Sequence, residues 1–263
     1  MPVQARVIFI VLGSVKLPHR EAVPHSFYLM AWFVTHKLTP SAFLAAAILT
    51  SLPACQQATW RQQMDAAVFA QQDGRFEAAE EFFHAAERSA TEFGPTDPRL
   101  AVTLGSLANF YHSQARDEEA ELLYLESLEL LRQTDGPTSA RVGRFTADLA
   151  LFYTALDRTE EAEPLYERAL KTLTLLQGPA DDEVVTIQVA LASLYLQQKR
   201  YTDAELLYSE VLAILRNSES NLDQLLVVLE DYATLMHSTG RGDEGIPLES
   251  QAIDLRTRLQ LEQ

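Results

Sequence analysis

The sequence predicts an all-α fold in which about five antiparallel helical hairpins stack in a row. Three observations lead there: residues recur at a step of 42, apolar residues within each repeat recur three and four apart, and the repeats are joined by Gly-Pro pairs. The first marks a repeat architecture, the second is the helix period, and the third stops a helix at a fixed place in each unit.

The chain opens on a segment unlike the rest. Of a formal charge of −16 over 263 residues, residues 1–54 carry +3 and the remainder −19. A basic, apolar, acid-poor start ahead of an acidic body reads as a targeting segment joined to a soluble body. Its three apolar runs, Val7–Val11, Phe27–Val34 and Ala42–Leu52, are each shorter than the roughly 18 to 20 residues of a spanning helix. The third follows His36 and Lys37 and precedes Pro53, Ala54 and Cys55. Basic, then apolar, then small is the order of an export signal. A leader running from Met1 exceeds the usual length of about 15 to 30 residues, whereas one starting at Met30 fits it. We therefore expect residues 1–29 to come from a misassigned upstream start and to be disordered. Residues 30–54 are expected to be a signal peptide, 55–59 a tether and 60–263 the repeat body.

The five units follow in order. Unit one is marked by Ala67, Ala70, Ala79 and Phe83, a step of 41 ahead of its successor. Units two to four align without gaps through Leu107–Tyr111, Leu149–Tyr153 and Leu191–Tyr195, then through Ala120–Tyr124, Ala162–Tyr166 and Ala204–Tyr208. Unit five, with Ala233, Met236, Gly245 and Ala252, lies a step of 41 further on. Inside a unit, the polar breaks at 115–117, 156–158 and 199–201 leave room only for an antiparallel turn. The alanines let two helix backbones approach, and the aromatic on the next turn fills the space beside them. Between units, Gly94-Pro95, Gly136-Pro137 and Gly178-Pro179 supply a glycine that tolerates the left-handed αL conformation and a residue that cannot continue the helix. Acids such as Asp181, Asp182 and Glu183 then complement the amino-terminal dipole of the next helix.

This pattern resembles the tetratricopeptide repeat over about residues 60–257. The step of 42, with Glu160–Leu170 followed by Gly-Pro, is similar to the kinesin-light-chain-like branch. The resemblance implies a right-handed α-solenoid of about five tetratricopeptide hairpins with degenerate ends. It also implies that Pro164 and Pro247 bend their helices without breaking them, since the family tolerates proline there. Separately, Ser51-Leu52-Pro53-Ala54-Cys55 resembles the lipobox of bacterial lipoproteins, although Pro53 departs from the small or aliphatic residue usual there. That resemblance implies lipidation of Cys55. Gln56, where Asp would favour retention at the inner membrane, points to the periplasmic face of an outer membrane. The same order of elements also fits cleavage after Ala54 without a lipid, or a retained anchor.

Composition and motifs exclude much else. A charge of this sign disfavours nucleic acid, whose binding needs clustered Lys and Arg. One cysteine forbids an intramolecular disulfide. There is no paired-His zinc pattern, no glycine-rich phosphate loop and no nucleophile elbow, so no catalytic residue, metal, cofactor or small-molecule substrate is expected. His112 and His237 occupy equivalent positions three units apart, about 30 Å at ~10 Å per helix layer, and cannot share a metal. What remains is a surface. By the resemblance, the first helices of successive units line a groove that holds an extended or helical peptide. The positions carried over are Gln71, Gln72, Asn109, His112, Arg144, Leu151, Thr154, Ser193, Gln197, Glu230, Thr234 and His237. The expected role is a membrane-tethered scaffold that docks another protein; the alternative is a cytoplasmic or inner-membrane-anchored adaptor without a lipid.

Overall fold

The computed structural model describes residues 57, 59–216 and 221–261. The expected signal peptide, the alternative start at Met30 and Cys55 lie outside the described residues. Residues 58–263 belong to one compact unit. Its described residues form ten helices and no strand: α1 (59–72), α2 (Phe76–Thr91), α3 (Arg99–Ser113), α4 (Asp117–Asp135), α5 (Ala140–Ala155), α6 (Thr159–Gln177), α7 (Asp182–Gln197), α8 (Tyr201–Leu215), α9 (Leu222–Ser238) and α10 (Gly242–Leu261). They pair as five hairpins. None of them is long and apolar enough to cross a membrane.

Each hairpin turns in the same way. The residue after the first helix adopts the left-handed conformation, at Gly74, Ala115, Asp157, Lys199 and Gly240, with φ between 57° and 75°. The following residue is always arginine, and its amide donates to the carbonyl five residues back: Arg75 to Ala70, Arg116 to Tyr111, Arg158 to Tyr153, Arg200 to Tyr195 and Arg241 to Met236, at 2.8–2.9 Å. This is a Schellman turn, which satisfies carbonyls the helix end leaves open.

The joints between hairpins work differently from the αL glycine expected above. Gly136 has φ 86° and ψ 154°, and Gly178 has φ 96° and ψ 163°. That positive-φ, extended-ψ region is open essentially to glycine alone. The next helix is then capped by a side chain: Ser139 accepts from the Val142 amide at 3.2 Å and Asp181 from the Glu183 amide at 3.0 Å. Pro164 and Pro247 sit inside α6 and α10, which run through them unbroken.

The core is the repeat seen from inside. Ala108, Ala120, Ala150, Ala162, Ala192 and Ala204, the crossing residues, are fully buried. Tyr166, Tyr208, Phe83, Phe110 and Phe152 fill the spaces beside them, each contributing about 1.5–3 kcal/mol by burial. Aromatic contacts link hairpins, with Phe83 on Phe110 at 5.5 Å and Tyr124 on Phe152 at 5.0 Å between ring centroids. From α2·α3 to α9·α10 each helix packs on its chain neighbour, and α7 also touches both α5 and α9 directly. These are first helices of their hairpins. Their close approach makes them the tighter, inner wall of the stack, with α4, α6 and α8 outside.

Candidate docking face

The register of 42, 42 and 41 sorts the inner wall into rows that run across the helices. One holds Val102, Arg144, Thr186 and Val227; the next Ser106, Asp148, Ala190 and Asp231; a third Asn109, Leu151, Ser193 and Thr234; a fourth Gln72, Ser113, Ala155, Gln197 and Ser238. Seven of the predicted groove residues fall on these rows. Gln72, Asn109, Arg144, Gln197 and Thr234 are exposed, Leu151 is 59% exposed, and Ser193 is half-buried.

The remaining predicted residues turn elsewhere. Gln71, His112, Thr154 and His237 share a register position that faces their own hairpins or the next one. His112 Nδ1 lies 2.7 Å from Asp117 at the start of α4, and its ring meets Phe152 edge-on at 5.1 Å. His237 Nε2 lies 2.8 Å from Glu249 on α10. Glu249 stands where units two to four have tyrosine. Gln71 donates to Ser113 at 3.5 Å, and Thr154 bonds the Ala150 carbonyl at 2.9 Å. Glu230 pairs with Arg256 of α10.

Second-helix tyrosines reach through to the inner wall from behind. Tyr124 donates to Asn109 Oδ1 at 2.5 Å, Tyr166 lies 3.5 Å from the Thr154 hydroxyl, and Tyr208 donates to Asp231 at 2.9 Å. Ser193 donates to the same Asp231 oxygen at 2.8 Å. Burial is the first cause that pushes all three tyrosine hydroxyls above their usual range. Tyr124 and Tyr208 therefore stay protonated and donate to the groove side chains Asn109 and Asp231, whereas Tyr166 accepts from Thr154.

Among the described residues, one cavity on the outer side and one on the inner face bear on the site. The larger, about 670 Å³, lies outside between α6 and α8, walled by Leu170, Leu175, Leu206 and Leu207. Most of its charged rim is engaged, Arg200 with Asp203 and Glu163, and Glu167 with Tyr195; Lys171 also lines it. The smaller, about 350 Å³, opens on the inner face between α5 and α7 and includes Arg144, Asp148, Leu151 and Ile187. Here Arg144 is held by Glu183 at 2.6 Å. Burial alone would raise the Glu183 carboxyl, but hydrogen bonds from Arg144 and Gln177 outweigh it and hold the group below its ordinary range. Asp148 was not among the predicted residues. Burial, with the charge of Glu183 added, pushes its carboxyl up to about 6. The group is open to solvent on the inner face, yet the cavity walls crowd it. Its signal in the sequence was an acid in a register row shared with Ser106, Ala190 and a second acid, Asp231.

A second feature escaped the sequence reading. The turn arginines form a ladder between hairpins. Arg116 binds Glu80 at 2.8 Å, Arg158 binds Glu121 at 2.7 Å, Arg200 binds Glu163 at 2.6 Å and Arg241 binds Glu205 at 2.8 Å. Each also grips an acid of its own second helix, Glu119, Glu161, Asp203 or Glu244. Hydrogen bonds from Arg158 are the largest influence on Glu121 and hold its carboxyl low. The signal was the arginine at each step of the repeat, from Arg75 to Arg241.

Comparison with known proteins agrees with this architecture. A family model described as tetratricopeptide repeat matches residues 60–133 and 144–217. No curated protein matches the sequence. Among solved structures, BtubC (BKLC) from P. vanneervenii is similar with a TM-score of 0.74 and 23% identity, over 82% of this chain and 87% of that one. A putative kinesin light chain with nearly identical TPR-like repeats from Podosopora anserina is similar with a TM-score of 0.65 and 20% identity, over 76% and 96%. The Rap conjugation gene regulator of plasmid pLS20, solved in complex with the Phr* peptide, is similar with a TM-score of 0.56 and 12% identity, over 80% and 57%.

Proposed function

The chain belongs to the tetratricopeptide repeat family, and from that premise we propose that it is a non-enzymatic scaffold whose inner face docks a segment of another protein. The observation that carries this is the wall of exposed side chains on α3, α5, α7 and α9, backed by tyrosines that fix its polar groups. A surface of this kind suits an extended or helical peptide, because successive repeats offer evenly spaced contacts along one line. The Phr* peptide in complex with a protein of similar fold supports the same reading by analogy.

The second half of the proposal concerns place. We propose that Cys55 carries a lipid that tethers the scaffold at the periplasmic face of an outer membrane. The support is the order of basic, apolar and small residues before Cys55 and the Gln56 that follows it. About five residues separate Cys55 from Trp60, so at ~3.4 Å each the scaffold is held within about 20 Å of the bilayer.

One experiment addresses both halves: cross-linking and mass spectrometry of the membrane fraction, with palmitate labelling of the wild type and Cys55→Ala. Label lost in the variant, with cross-links from Asn109, Leu151 or Gln197 peptides to one neighbour, is the expected result. Unlabelled protein in the aqueous fraction would overturn the tether. Cross-links confined to the outer helices would overturn the docking face.

A further inference from the structure

Two acids occupy the same row of the inner wall, two units apart, and the structure treats them differently. Asp231 is satisfied, accepting from Ser193 at 2.8 Å and Tyr208 at 2.9 Å. The positions equivalent to Ser193 and Tyr208, two units earlier, are Asn109 and Tyr124. There the tyrosine hydroxyl goes to Asn109 Oδ1, and Asp148 receives neither donor. Among the described residues Asp148 makes no hydrogen bond and no ion pair. The nearest cation on its own helix, Arg144, is committed to Glu183. Asp148 is exposed on the wall of the inner-face cavity, so its carboxylate is free to take a donor supplied from outside the chain.

Its surroundings say what would satisfy it. The cavity of about 350 Å³ at Asp148 is lined by the apolar Phe145, Leu151, Ile187 and Ala190, with the Arg144–Glu183 pair and Thr186 on its polar side. That is the small end of the ligand-pocket range, nearer to one long side chain than to a cofactor. The wall is shaped deliberately at one point: the Phe145 ring lies in the space that a Cβ on Gly105 would need, so glycine there lets the ring pack back against α3. Apolar walls with one unpaired negative group are complementary to a side chain with an aliphatic stem and a positive tip.

We propose that this cavity is an anchor pocket for a lysine or arginine side chain of the docked partner, with Asp148 binding the cation and Leu151 and Ile187 flanking the stem. The inference rests on the docking role of the inner face. It adds a partner chemistry, a basic anchor residue, that the repeat pattern itself does not encode. The acidic body as a whole favours the same sign of partner.

The test is selection from a displayed random octapeptide library by the full-length protein, with Asp148→Asn selected in parallel. Asparagine keeps the size of the side chain, and no hydrogen bond is lost, so the variant keeps its helical content by circular dichroism. The expected result is enrichment of Lys or Arg at one peptide position with the wild type, absent with Asp148→Asn. The best wild-type peptide should bind the variant about tenfold more weakly, the worth of one charge-assisted contact. Peptides enriched without a basic anchor, or bound equally by both proteins, overturn the pocket and leave the docking reading standing. No enrichment at all with either protein overturns both.

Discussion

The guanidinium of Arg158 lies 4.3 Å from the centroid of the Tyr153 ring, stacked on the residue whose carbonyl its own amide caps. The same arginine reaches back to Glu121 of the preceding hairpin, and the Tyr153 hydroxyl donates to that carboxylate at 2.9 Å. Turn, ring and acid thus form one joint between neighbouring units, repeated around Tyr111 with a stacking distance of 3.8 Å; at Tyr195 the arginine stacks at 4.0 Å but the acids divide, Arg200 taking Glu163 and the hydroxyl Glu167. Burial first, and then the bond to the acid, push the Tyr111 and Tyr153 hydroxyls up to about 12.

The ladder predicts that the ends of the stack differ from its middle. Among the described residues Arg75 forms an ion pair only with Asp73 of its own turn; at the far end, the position of the accepting Glu is taken by Ile246. Arg158→Ala should therefore lower the urea midpoint clearly, and Arg75→Ala should barely move it. The difference should narrow in high salt, which screens half-exposed pairs. Tyr153→Phe, which removes only the hydroxyl, should cost about 1 kcal/mol.

The turns predict a pair of opposite effects. Ala115 holds φ 57° with a methyl side chain that gains nothing there. A non-glycine residue in that conformation costs about 1 kcal/mol or more, so Ala115→Gly should stabilise by roughly 0.5–1 kcal/mol. Gly136, in the region reserved for glycine, should tolerate no such exchange: Gly136→Ala should destabilise by about 1–3 kcal/mol. Equilibrium unfolding in urea measures both, and equal signs would contradict the assignment of the two turn types.

The fold was legible because packing repeats. Ala108, Ala150 and Ala192 can occupy a helix crossing only if a second helix is there, and a step of 42 says so three times. What stayed hidden depends on pairs that no spacing announces. The arginines from Arg75 to Arg241 recur as regularly as the alanines, but an exposed arginine reads as solvated until Glu121 is seen beside Arg158. Asp148 differs from Asp231 in whether the tyrosine of the preceding helix points at it or at Asn109, and in whether a serine stands beside it as Ser193 does. His112 and Asn109 are three residues apart on one helix, and a rotation of one side-chain position sends the first toward Asp117 and leaves the second on the inner wall.

Gln188 offers a test of how far the repeat tolerates a polar core. It is 7% exposed on α7, in the register position of Leu104 and Leu229, and its side-chain oxygen has no hydrogen-bond partner. A buried carbonyl without a donor costs about 1–3 kcal/mol. Gln188→Leu installs the residue of units two and five, where unit three has Thr146, and should raise stability by about 1 kcal/mol, read as a higher urea midpoint with an unchanged slope. A lower midpoint would mean that the amide is satisfied in solution.

The pH dependence of Asp148 runs against the usual sense for a carboxylate. Its folded value of about 6 lies above the ordinary 3.8, so between those values the folded chain holds the proton more tightly than the unfolded chain does. The stability this group contributes is complete below about 4 and is lost as pH rises through about 6. Glu183 on α7 and Arg144 on its own helix face the group as charges, and Tyr124 and Tyr166 lie close from behind. Removing the charge with Asp148→Asn should leave the melting temperature unchanged near pH 4 and raise it by a few degrees at pH 7.5, less than full burial would give because water reaches the group from the inner face. A melting gap that grows toward acid instead would show that Asp148 has a cationic partner within the chain, and the anchor pocket would then be filled already.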